Sequence, residues 1–266
     1  MKIKKIIIVL LLCFLPIASF AQKVGETLPA WEEGYMDIHH INTGCGECAY
    51  IILPDGTTML IDAGENKAGN PRHVSPKPNA SRTPGEWIVD YIKTMAPVQK
   101  QKLDYALITH FHSDHMGGVL KMKNESGRYY NTGIITVAEN LQIGMLVDRG
   151  FPDYNFLVNT EDKMIKNYFN FLHFTKRKIN VEQFVPGVDN QFRLLYDSTR
   201  YAGRFKIQNI YANGWLWTGK EHEKRYLFPD FDTLEKYDIP QENTLSCAIK
   251  IVYGNFSYYT GGDVTG

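Results

Sequence analysis

In the segment Thr109-His110-Phe111-His112-Ser113-Asp114-His115-Met116-Gly117-Gly118, three imidazoles and one carboxylate fall within six consecutive positions. Imidazole nitrogen and carboxylate oxygen suit zinc, with manganese or iron competing where carboxylates are several. In extended chain, residues two apart point the same way, so His110 and His112 share a side. A turn at Ser113 can then bring Asp114 and His115 round to a second ion beside the first. A single histidine at a strand end is ordinarily a hydrogen-bonded polar residue. Four ligand-type residues at this density point instead to a metal centre, provided the surrounding elements suit one.

Those elements are readable. The run Leu103-Asp104-Tyr105-Ala106-Leu107-Ile108 predicts a buried strand feeding the histidines, and Gly117-Gly118 lets the backbone turn away after them. Upstream, Ala49 to Leu53 and Thr57 to Ile61 flank Pro54-Asp55-Gly56, a hairpin signal. Its two strands must run antiparallel, which puts residue 48 near the end where Asp62 sits. The loop Cys45-Gly46-Glu47-Cys48 is therefore expected to rim the metal site. Thr83-Pro84-Gly85-Glu86 combines a cap, a proline at the first helical position and a capping-box glutamate. Trp87, Ile88, Tyr91, Ile92 and Met95 then form the apolar stripe of a sheet-covering helix. Thr160 to Lys178 predicts a second helix, with Met164, Ile165, Tyr168, Phe169 and Leu172 on one face and His173 extending it as a packed histidine rather than a ligand. Lys67 to Arg82 reads as one long surface loop.

With those residues in place, the chain resembles the metallo-β-lactamase superfamily. THFHSDHMGG is similar to its H-x-H-x-D-H signature, Leu60-Ile61-Asp62-Ala63-Gly64 to the strand-end aspartate that precedes it, and Tyr258-Tyr259-Thr260-Gly261-Gly262-Asp263 to the later strand ending in an aspartate. From Asn243 to Asp263 the chain is most similar to the ComEC-type branch, whose hydrolase domains sit in or beside DNA-uptake proteins. The resemblance implies an α/β (α+β) fold, the αββα sandwich. It implies His110 and His112 on a first metal, Asp114 and His115 on a second, Asp263 bridging them, and Asp62 behind the ligands, orienting a histidine by a hydrogen bond. Two zinc ions, with manganese or iron as alternatives, are the cofactors it implies.

The chain also departs from that pattern. A third histidine for the first metal has no clean equivalent: His173 falls in a helical pattern, His222 in a polar loop, and Asn213 lies where a ComEC-like chain would place a substitute. The histidine that normally follows the bridging aspartate is absent because the sequence stops at Gly266. The expectation is a sandwich that lacks its last elements at the C-terminus and exposes the apolar surface they would cover.

Composition frames the setting. Lys2-Ile3-Lys4-Lys5, an apolar run from Ile6 to Ile17, and Ala18-Ser19-Phe20-Ala21 have the three regions of a secretory signal, with cleavage expected after Ala21. The run is too short to favour a spanning helix, so residues 22–266 are expected as one exported domain, periplasmic or secreted, with no stable membrane span. Loss of Lys2, Lys4 and Lys5 leaves 26 basic against 29 acidic residues. Bulk charge thus offers no basic face for a long nucleic acid.

Three cysteines remain: Cys45, Cys48 and Cys247. The Cys45/Cys48 spacing is compatible with a disulfide, with free thiols, or with a second metal site drawing on Cys247 or His39-His40. Two aromatic stretches, Asp148 to Tyr154 and Asn213 to Trp217, are candidates for loops at sheet ends, where their rings would either pack or stack on a substrate's base or sugar.

Together these features predict metal-dependent hydrolysis outside the cytoplasm. Paired cations make hydroxide available near neutral pH and polarise the attacked oxygen. The ComEC-like resemblance implies a phosphodiester substrate. A carbonyl substrate (lactone, thioester or β-lactam) and a non-catalytic metal-binding module are the alternatives.

Overall fold

A computed structural model describes residues 25–44, 46–65, 74–97, 102–118, 120–236 and 238–264. The expected leader, residues 1–21, and Cys45 lie outside them. The unit that carries the site begins at Trp31.

Alternation of side chains builds this unit. Strands β1 (Asp37–His40), β2 (Ala49–Ile52), β3 (Thr58–Ile61) and β4 (Lys102–Leu107) lie side by side in that order. After a small hairpin, β5 (Met122–Lys123) and β6 (Tyr130–Asn131), the sheet continues with β7 (Gln142–Asp148) and β8 (Asn180–Gln183). The first three strands pair antiparallel, and β3, β4, β7 and β8 pair parallel. Parallel neighbours need crossovers, and helices supply them: α1 (Pro84–Met95), the single turn α2 (Ser113–Met116) with α3 (Gly133–Asn140), and α4 (Lys163–Phe174).

Both faces of this sheet are buried, so its strands read as continuous apolar runs rather than as alternation. Tyr50, Ile52, Leu60 and Ala106 face the helices, meeting Ile88, Ile92, Ile134, Ile135, Ile165 and Phe171. The intervening residues Ile51, Met59, Ile61, Tyr105 and Leu107 face a second sheet and meet its Ile207, Ile249 and Ile251. Each such large side chain contributes about 1.5–3 kcal/mol by leaving water. The second sheet is formed by β9 (Phe205–Ala212), β10 (Trp215–Trp217), β11 (Lys224–Tyr226), β12 (Ala248–Tyr253) and β13 (Phe256–Thr260), in the order β11-β10-β9-β12-β13.

The result is an α+β fold of the metallo-β-lactamase type. Of the four layers expected, the described residues build three, helix, sheet and sheet. The three longer helices all pack on the first sheet, and the outer face of the second carries Lys206, Lys250 and an exposed Tyr259.

Local expectations fare unevenly. The Ala49–Ile61 hairpin pairs in the expected register, Ala49 opposite Ile61, and Thr83 with Glu86 closes the capping box of α1. Ile88 and Ile92 are buried as expected, Met95 packs partly against the same core, and Val89 joins them. Trp87 lies off it, under the Arg82 guanidinium at 5.1 Å and donating from Nε1 to the Asn79 carbonyl. His173 is exposed rather than packed, its ring beside Phe174 alone.

Candidate metal centre

Three strands of the first sheet and one of the second deliver their ends to one place. Asp62 follows β3, Thr109 and His110 follow β4, Arg149 follows β7, and Asp263 follows β13. In open α/β sheets ligands bind outside the carboxyl ends of the strands.

Asp62 organises the loop. It sits at φ 60°, a left-handed conformation that aspartate tolerates better than most residues. Its buried carboxylate accepts from Thr109 N at 2.8 Å, Thr109 Oγ1 at 2.7 Å and His115 Nδ1 at 2.8 Å. Backbone bonds complete the clamp: Ala63 N to His115 O, Glu65 N to Ser113 O, and Glu47 N to Asp114 O. The last places Glu47, and so the Gly46–Cys48 strip, on the rim of the histidine motif. A side chain at Gly64 would put Cβ 1.8 Å from the Asp114 carbonyl oxygen. Only glycine permits that approach.

Among the described residues, one group of His, Cys, Asp and Glu offers at least three ligand atoms close enough for a metal: His110, His115 and Asp263, within 4.8 Å of one another. His115 Nε2 faces Asp263 Oδ1 at 3.3 Å. His112 joins through His110, Nδ1 to Nε2 at 3.1 Å. His110 thus stands with His115, ring centroids 4.0 Å apart, as well as with His112 at 4.8 Å. The Asp114 carboxylate lies outside the tight group and acts on His115 by charge.

Hydrogen bonds orient these rings. The Thr109 hydroxyl donates to Asp62, so it accepts from His110 Nδ1 at 3.2 Å, which leaves His110 Nε2 with a lone pair. Burial, with the positive charges of His115, His112 and Arg149, pushes His110 down to about 2 and keeps it neutral. Burial also works against charge on His115, but the Asp62 hydrogen bond and the charges of Asp62, Asp263 and Asp114 outweigh it and raise its pKa. Burial raises Asp62 against the pull of His115 and Thr109. The proton of that pair lies on the Nδ1–Oδ2 axis. A cation that took the place of the His115 Nε2 proton would find that nitrogen, His110 Nε2 and an Asp263 oxygen gathered around it. The donor set fits a metal ion of the zinc, manganese or iron kind.

A second tier was not read from the sequence. Arg149, wholly buried, donates through Nε and Nη2 to the two oxygens of Glu242, and through Nη1 to the Phe156 carbonyl and to Asn213 Oδ1. Glu242 Oε1 also accepts Phe111 N at 2.8 Å. The pair therefore ties the Glu242–Leu245 turn to the histidine motif and sets Asn243 against the site, its Nδ2 3.3 Å from Asp263 Oδ2. Asn213 does not substitute for a histidine. It holds Arg149, donating to its carbonyl at 2.8 Å, and turns the chain at φ 52° into Gly214. His222 bonds the Gly187 carbonyl, away from the centre.

The cysteine expectation resolves in part. Cys48 and Cys247 are free, buried thiols in different cores, one against the helices and one between the sheets. Burial pushes both well up. His39 bonds the Tyr91 hydroxyl instead of a metal partner.

The fold is of the metallo-β-lactamase type, and the clustered histidines and Asp263 form a candidate metal site. In line with this, residues 42–127 match the profile of the family described as the metallo-beta-lactamase superfamily, whose members bind metal ions, typically zinc. The matched stretch covers about a third of the chain and runs through β2, β3, α1, β4 and the whole histidine motif. No curated protein matches the chain.

Proposed function

We propose that the protein is an exported hydrolase that holds metal through His110, His112, Asp114, His115 and Asp263, zinc foremost with manganese or iron as competitors, and that it cleaves a phosphodiester. One observation carries the metal-dependent reading: His115 Nε2 is aimed at Asp263 Oδ1 while its Nδ1 is committed to Asp62, beside a neutral His110. The family match at residues 42–127 supports the same class of activity.

Bound there, two metal ions would lower the pKa of water and polarise the attacked phosphoryl oxygen. The chain's own residues do the rest. Asp62 and Thr109 fix which nitrogen of His115 and His110 faces the centre. Asp263 brings a charge from the second sheet, and Asn243 steadies it. No protein nucleophile is required.

The phosphodiester preference rests on the ComEC-like pattern from Asn243 to Asp263. It is supported by a groove of about 250 Å³ that shares Asn213 with the Arg149 tier and is lined by Phe156, Trp215 and Lys224. There Lys224 Nζ stands 5.2 Å from the Trp215 ring, a cation and an aromatic face that suit an anion carrying a ring. Export rests on the leader pattern of residues 1–21.

Metal-loaded full-length protein assayed on bis(p-nitrophenyl) phosphate, a thiolactone and a β-lactam tests the reading. Phosphodiester hydrolysis, abolished by chelator and by Asp263→Asn, is expected. Activity confined to the carbonyl substrates would refute the substrate class, and inactivity on all three with metal bound would favour a binding module. N-terminal sequencing of exported material is expected to begin at Gln22.

A further inference from the structure

The histidine-poor side of the centre contains a side chain with an unused oxygen. Asn243 Oδ1 is buried and makes no hydrogen bond of good geometry, while the other end of the same amide donates to Asp263 Oδ2 and the side chain stands close enough to His110 to favour its protonated form. The amide's orientation is set by its neighbour, because a carboxylate only accepts; the NH₂ faces Asp263 and the oxygen is turned elsewhere. A buried oxygen of this kind left without a donor is costly. Here the cost is maintained by a buried ion pair, Arg149 with Glu242, that fixes the preceding residue to the histidine motif.

Resting on the metal-centre reading above, we propose that Asn243 Oδ1 is a further protein ligand on the His110 and His112 side, in the place for which the chain has no third histidine. The other candidates are spoken for: Asn213 holds Arg149, His222 bonds Gly187, and His173 is exposed on α4. An amide oxygen is a harder and weaker donor than imidazole nitrogen. A centre that draws on it favours zinc less strongly over manganese than an all-histidine set would.

The test uses the full chain, stripped with chelator and dialysed against Mn²⁺ or Zn²⁺ with elemental analysis, and Co²⁺ as a visible probe. Asn243→Ala is expected to weaken Mn²⁺ binding tenfold or more. Asn243→His is expected to shift the Zn²⁺ to Mn²⁺ preference tenfold or more toward zinc and to change the Co²⁺ absorption, with circular dichroism confirming that both variants fold. Unchanged affinities in Asn243→Ala together with an unchanged Co²⁺ spectrum in Asn243→His would overturn the assignment, as they would if water alone satisfied the amide. That result leaves the metal centre standing. Wild-type protein that binds none of the three ions removes the centre and this ligand with it.

Discussion

Cutting the Arg149–Glu242 pair gives the sharpest test of how the centre is held. Arg149 is 0 % exposed and Glu242 15 % at the side chain, so the guanidinium cannot turn to water when its partner is lost. Removing one member of a buried pair typically costs about 3–5 kcal/mol, mostly because the other stays behind uncompensated. Arg149 keeps the Phe156, Leu157 and Asn213 oxygens as partners, which places Glu242→Leu at the lower end, about 3 kcal/mol. For a domain of this size each kcal/mol moves the melting temperature by roughly 2–4 °C. Glu242→Leu should therefore melt about 6–12 °C below wild type. The double variant Arg149→Met with Glu242→Leu removes both charges and should recover a large part of the loss, a coupling of about 2 kcal/mol or more. Thermal and urea unfolding by circular dichroism give both quantities. A single variant within about 2 °C of wild type, or a double variant whose loss is the sum of the singles, would refute the reasoning.

Other expectations follow from the same contacts. Asp62→Asn suits the left-handed backbone but loses a carboxylate oxygen facing His115 Nδ1 and Thr109, so metal affinity should fall about 10–100-fold with the fold intact, read by competition with a chromophoric chelator. Asp55 is pushed up by burial, yet donors from Thr57, Tyr196 and Asp197 prevail and hold its pKa below the usual carboxylate value. The stability from that depression is full above the unfolded value near about 3.9 and lost as pH falls through the folded one. Asp55→Asn should accordingly destabilise at pH 7 and progressively less in acid, and urea midpoints that differ equally at both pH values would contradict this. Native protein treated with a thiol reagent should show no modification at Cys48 or Cys247 by mass spectrometry, since both thiols are buried with raised pKa; rapid labelling of either would place it outside the core.

What was legible in the sequence was local. The hairpin ending at Ile61, the α1 cap and the strand feeding His110 each declare themselves within a dozen residues, through turn chemistry and periodicity. Trp87 was misread because it falls within the arc that a helical stripe allows, whereas its ring lies under the Arg82 guanidinium and its Nε1 donates to the Asn79 carbonyl. Asn213 drew attention because it lies where a ComEC-like chain would place a substitute for the third histidine, and it stands directly before a glycine. That pattern is equally the mark of a turn at positive φ, which is what it makes. Arg149 and Glu242 lie 93 positions apart, and nothing in either neighbourhood announces the other. The signal available was an arginine directly after an apolar strand, a charge that must find a partner if it is buried. Asn243 lay within the segment that carries the resemblance, but its role depends on Asp263 arriving beside it from another strand.

The centre also joins the two sheets, which elsewhere meet through the apolar core and the Arg149–Glu242 tier. Asp263 hangs from β13, an edge strand of the second sheet, whereas the histidines belong to the first. An ion shared between them would act as a rivet across the sandwich. Occupancy and closure of the two sheets are then linked quantities, so free energy gained on binding the ion is available to hold β13 in place. Stripped of metal, the protein should loosen first along that border strand, and proteases should cut near Gly254 before they reach the helical layer. The same linkage lets a change remote from any ligand, in the packing of Ile249 against Ile61, alter how tightly the ion is held.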